Sequence, residues 1–94
     1  MPHSLSAAKR VRQTARRRAQ NRALVSRVRT ACRRFREALQ ADDLDAAQAR
    51  FREAERLLHR AACNGPIHRN TAARRISRLQ RRLHEAQEAA GAAR

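Results

Sequence analysis

The chain has 94 residues and a formal net charge of +15, from twenty-two arginines and one lysine against eight acids. A chain of this length folds as one small domain, residues 1–94, and buries only about 60 to 65% of its unfolded surface, which argues against a large substrate-burying pocket. The charge far exceeds what solubility requires, so a polyanion is the expected partner and self-association between like-charged copies is not expected.

The N-terminus, MPHSLSAAKRVRQ, has no apolar run of the kind a signal peptide needs. No segment approaches the roughly 18 apolar residues of a spanning helix, and with two Phe and no Trp the chain lacks the bulky face of a membrane-surface helix. The expected location is the cytoplasm, without membrane contact. An arginine-rich, acid-poor start also imitates an organelle transit peptide, a reading weakened by the absence of Leu and Phe before Leu24, apart from Leu5.

Charge and helix breakers divide the chain. Residues 1–36 carry twelve basic residues and no acid, residues 37–65 carry six acids against four arginines, and residues 66–84 carry six arginines and no acid. No glycine or proline interrupts the chain between Pro2 and Gly65, whereas Gly65-Pro66 ends a helix firmly. These signals predict an all-α fold with helices near 6–39, 44–62 and 67–88.

The first helix should begin at a Ser4 or Ser6 cap and extend about 50 Å. Its C-terminal half shows the stripe Leu24, Val28, Ala31, Cys32, Phe35, Leu39, within an arc of about 120°. Continued toward the N-terminus, the stripe becomes Asn21, Arg17, Thr14, Arg10, which no core accepts unpaired. That half must project beyond the bundle, and its like-charge neighbours predict only partial helicity in the free chain.

The second helix starts at DDLD, where Asp42 or Asp43 can cap, and carries the stripe Leu44, Ala47, Phe51, Ala54, Leu58, Ala61. The third follows Pro66, with Ala72, Ile76, Leu79, Leu83, Ala86 and Ala90 on one face and Arg74, Arg78 and Arg81 opposite. Short connections favour antiparallel neighbours, hence a three-helix bundle with a long, projecting basic N-terminal helix. The Ala-rich tail EAAGAAR is expected to fray.

Chemistry finds little support. His59, Cys63, His68 and Cys32 could together supply zinc ligands, yet their spacing fits no finger or ribbon. A Cys–His nucleophile lacks an orienting group, the acids cap helices, and no glycine-rich phosphate loop occurs. Neither an enzyme, nor a cofactor, nor a small-molecule substrate is expected. Single-strand binding by base stacking is disfavoured because the only aromatics, Phe35 and Phe51, lie on core stripes. Folded RNA read through its backbone and DNA compacted by a basic helical protein remain equally open from composition.

The segment GPIHRNTAARRISRL, residues 65–79, resembles the G-x-IHKN-x-AAR-x-x-SRL signature of the bacterial small-subunit ribosomal protein S-twenty family. SAAKRVRQ (6–13), NRALVSRVRT (21–30) and FREAL (35–39) resemble that family's N-terminal segments in the same order. Arginine replaces most of the family's lysines, and Pro66 stands where an aliphatic residue is usual, which affects where the third helix starts. The resemblance implies a non-catalytic protein that binds small-subunit ribosomal RNA and supports assembly of the small ribosomal subunit. It implies RNA-facing roles for Lys9, Arg10, Arg12, Arg16, Arg17, Arg22, Arg27, Arg29 and Arg33, and for His68, Arg69, Asn70, Arg74, Arg75 and Arg78. A nucleoid-associated DNA-compacting protein is the alternative, and a zinc-bound or thiol-reactive module is a third reading.

Overall fold

A run of some sixty residues without glycine or proline, rich in Ala and Arg, can stay helical until a specific turn stops it. The computed structural model describes residues 4–92, and three α-helices account for nearly all of them: α1 (Leu5–Gln40), α2 (Leu44–Asn64) and α3 (Arg69–Ala92). Ser4 caps α1, its hydroxyl oxygen accepting the Ala7 N–H at 3.1 Å.

The α1–α2 turn is short because one residue serves both helices. Asp42 takes a left-handed φ of 56°, its N–H donates to the Leu39 carbonyl, and the Asp43 N–H donates to the Ala38 carbonyl, each at 3.1 Å. This is the Schellman arrangement, which satisfies carbonyls left open at a helix end. Asp43 Oδ1 then accepts the Ala46 N–H at 3.1 Å and caps α2. Of the two aspartates expected as caps, Asp43 takes that place while Asp42 makes the turn.

At the other end of α2, Gly65 adopts φ 99°, a conformation that costs an L side chain about 1 to 2 kcal/mol. The helix runs to Asn64, two residues past the expected 62, because nothing before Gly65 breaks it. Pro66 lacks a donor, so the Ile67 N–H closes the end on the Ala61 carbonyl at 3.4 Å while its side chain enters the core. Those two residues are spent on the turn. Hence α3 starts at Arg69 rather than 67, with His68 as its cap: Nδ1 accepts the Asn70 N–H at 3.1 Å. At the far end α3 passes the expected 88 and continues to Ala92, since alanines propagate a helix readily. Ala93 and Arg94, the last residues of the tail expected to fray, lie outside the described residues.

The core joins Leu24, Val28, Ala31 and Phe35 of α1 to Ala47, Phe51, Ala54, Leu57, Leu58 and Ala61 of α2 and Ala72, Leu79 and Leu83 of α3. Leu57 is only 2% exposed although it lies off the expected stripe. The reason is topological: α2 packs against both other helices and needs a wider apolar arc, whereas α1 and α3 meet only marginally. Phe35 and Phe51 meet with ring centroids 6.1 Å apart and planes tilted by 56°, a favourable aromatic geometry.

Residues 9–20 of α1 are all exposed, so the helix overhangs by about 30 Å before Leu24 enters the core. The overhang is helical throughout, where like-charge repulsion predicted partial helicity. The Ser4 cap and the high helix propensity of Ala and Arg offset that repulsion. The molecule measures 70 × 22 × 14 Å. Glu37, Asp42, Asp43 and Asp45 lie around the α1–α2 turn, and Glu85 and Glu88 lie on the last turns of α3. Six of the eight acids thus occupy the end opposite the overhang.

Candidate nucleic-acid interface

Because α1 and α3 meet only marginally, the arginines flanking their apolar stripes face a shared seam instead of interdigitating. A cleft of about 430 Å³ runs along it, lined by Arg29 and Arg36 of α1 and Arg75, Arg78 and Arg82 of α3 over a floor of Val28, Cys32 and Leu79. A second cleft, of about 860 Å³, continues from Arg29 past Pro66 to Arg18, Asn21 and Arg22 at the root of the overhang. Together they form a trough with seven arginines on its walls and no acid.

Among the described residues none of these arginines is in an ion pair. Along the trough positive charge is uncompensated and borders a concavity. Its floor senses the walls: burial pushes the Cys32 thiol above its ordinary value, while the guanidiniums of Arg36 and Arg75 pull it back. The α1–α2 flank differs. There Arg27, Thr30 and Arg34 share a cleft with Glu53, which also pairs with Arg50 at 3.5 Å.

Of the fifteen residues that the sequence resemblance singled out, the trough brings together Arg22, Arg29, Arg75 and Arg78. Arg78 is therefore on the flank facing α1 rather than simply opposite the core stripe. Lys9, Arg10, Arg12, Arg16 and Arg17 are exposed along the overhang. Arg27 faces the α1–α2 flank, and Arg33 is spent partly on Glu37 at 3.7 Å, an exposed pair of small energetic weight.

His68, Arg69 and Asn70 form the exposed start of α3. With Nδ1 accepting the Asn70 N–H, neutral His68 carries its proton on Nε2, directed outward as a donor. Arg74 is exposed, with Nη2 3.5 Å from Thr71 Oγ1. Arg18, Arg36 and Arg82 complete the trough and were not singled out from the sequence. Their positions one or two turns from Arg22, Arg29 and Arg78 are the periodic signal that identifies them.

Among the described residues no three of His, Cys, Asp and Glu come together to hold a metal ion, and no helix is long and apolar enough to cross a membrane. Cys32 and Cys63 are free thiols.

The family model described as Ribosomal protein S20 matches residues 2–84. The chain is 45% identical over 86 residues to the small ribosomal subunit protein bS20 of Persephonella marina, covering 92% of this chain and 94% of that protein. It is 46% identical over 90 residues to the protein of the same name from Rhodopirellula baltica, covering 96% of this chain and all of that protein. It is 52% identical over 83 residues to that of Mesorhizobium japonicum, covering 88% and 94% respectively.

Proposed function

The chain belongs to the ribosomal protein S20 family, whose members are structural proteins and not enzymes, and from that membership we propose that it is a constituent of the cytoplasmic small ribosomal subunit that binds the subunit's RNA directly and supports its assembly. The observation that carries the proposal is the acid-free arginine trough between α1 and α3, extended by the exposed basic overhang.

Guanidinium groups suit this task because they donate two parallel hydrogen bonds to one phosphate and keep their charge at any physiological pH. Double-helical RNA favours such a reader: its major groove is too deep and narrow for side chains, so contacts fall on backbone, groove shape and 2′-hydroxyls. The trough would follow one strand's phosphates. The overhang would enter between neighbouring RNA segments, its charges distributed so that several faces meet phosphate. At the start of α3, Asn70 and the outward N–H of His68 would serve a phosphate or a 2′-hydroxyl.

Binding of the purified protein to small-subunit ribosomal RNA, measured from about 0.05 to 0.5 M salt, tests the reading. A log–log slope of magnitude at least about 4 is expected, since each neutralised phosphate contributes about 0.7 to 0.9. Cosedimentation with small subunits at moderate salt should accompany it. A shallower slope, or equal affinity for duplex DNA of the same length, would overturn the proposal, and the second result would favour DNA compaction.

A further inference from the structure

The seam sets two basic walls against each other on separate helices without an acid between them. Arg29 and Arg36 belong to α1, Arg75, Arg78 and Arg82 belong to α3, and the two helices are connected chiefly through α2. Arg36 and Arg75 are both close enough to act electrostatically on the same thiol, that of Cys32 on the floor. The floor is incompletely covered: Cys32 is only partly buried, although it packs against the core. Apolar surface that closer approach of α3 to α1 would bury is therefore left open where like charges oppose that approach.

We propose that the α1–α3 seam is a phosphate seat that clamps when filled: phosphodiesters of an RNA strand lie between Arg36 and Arg75 and their neighbours, bridge the two walls, and draw α3 onto α1. An oxyanion in that position accepts hydrogen bonds from guanidiniums on both sides, replacing repulsion across the seam by attraction through the ligand. Occupancy and helix packing become linked, because a ligand preferring the closed bundle stabilises it by mass action. The trough thus does more than attract RNA; binding completes the fold at its least covered seam. This inference rests on the RNA-binding reading above for its natural occupant, while the seat itself follows from phosphate chemistry that a free phosphate chain shares.

The two thiols provide the test. Cys32 lines the seam, and Cys63 is exposed near the end of α2, outside that cleft, so one reports occupancy and the other serves as an internal control. Tripolyphosphate is the probe, at millimolar concentration with ionic strength matched by sodium chloride. At about ten times its dissociation constant, the probe should slow alkylation of Cys32 by about tenfold relative to Cys63 and raise Tm by at least about 5 °C. The variant Arg36→Gln/Arg75→Gln should lose both effects and, in low salt without probe, melt no lower than the parent. Arg52→Gln/Arg56→Gln, exposed on α2 and outside the seam, should keep both.

Equal protection of the two thiols, or protection that survives in Arg36→Gln/Arg75→Gln, overturns the seat. A short RNA duplex replaces the probe in the second arm. Full RNA affinity with Cys32 still reactive overturns an RNA strand in the seam and leaves the proposed function standing. Protection by tripolyphosphate without any RNA binding overturns the proposed function and leaves a seat for free phosphate chains.

Discussion

Replacing Arg29 and Arg78 together by Gln removes one charge from each side of the trough at little cost to the fold. Both side chains are exposed, neither is ion-paired among the described residues, and Gln has nearly the helix propensity of Arg. Two lost phosphate contacts reduce the log–log salt slope by about 1.4 to 1.8. Extrapolated from about 1 M salt, where the ionic term vanishes, to about 0.15 M, this becomes an affinity loss of about 14- to 30-fold, or about 1.6 to 2.0 kcal/mol. The matched control is Arg52→Gln/Arg56→Gln, which removes the same charge from exposed positions one turn apart on the outer face of α2. Only the diffuse field then changes, and the loss should stay within about threefold, with the salt slope shifted by less than about 0.5. Fluorescence anisotropy titrations on a small-subunit RNA fragment at four salt concentrations give both slopes, and circular dichroism melts verify that the variants are folded. Equal losses for the two pairs would refute the reasoning, because RNA would then respond to total charge rather than to the trough.

Amide protons of residues 5–20 should exchange rapidly in the free protein and become protected on RNA, since the overhang has no tertiary packing to slow its opening; strong protection in the free state would contradict this. Leu58→Ala, at a fully buried site between both neighbouring helices, should lower stability by about 2 to 5 kcal/mol in chemical denaturation, whereas Ile76→Ala, only partly buried, should cost less. Gly65→Ala should cost about 1 to 2 kcal/mol from backbone strain alone, because an added Cβ meets nothing within 4 Å, and a melt that leaves Tm unchanged would show that φ 99° is not required. For Cys32 the folded state retains the thiol proton more tightly than the unfolded one, so its contribution to stability is intact below pH 9.0 and lost as pH rises through the raised value; denaturation midpoints of parent and Cys32→Ser across that range should converge.

Helix number, the projection of α1 and most of the core were legible because each depends on a periodicity within one segment. Leu24, Val28 and Phe35 announce a buried face by their spacing, and the arginines that continue that face toward the N-terminus announce an overhang. Gly65-Pro66 marked the second turn. What sequence periodicity left undetermined was the rotation of one helix against another. Leu57 is buried because α2 has two neighbours, and Arg36 and Arg82 face each other across a seam that exists only because α1 and α3 stay apart. The start of α3 depended on a contest among neighbours: Ile67 spends its N–H on Ala61, leaving the cap to His68, whose ring nitrogen is not among the commonest capping groups.

The segregation of acids at the α1–α2 turn and the last turns of α3 makes the rod an electric dipole as well as a cation. Near RNA such a body experiences a torque, and the overhang swings toward the negative surface while the acidic end trails. Approach is thereby sorted by orientation before any contact is made, which raises the fraction of collisions that can proceed to docking. The torque operates within a Debye length of about 8 Å at physiological salt, so added salt should depress the association rate even where it leaves the lifetime of the docked state nearly unchanged.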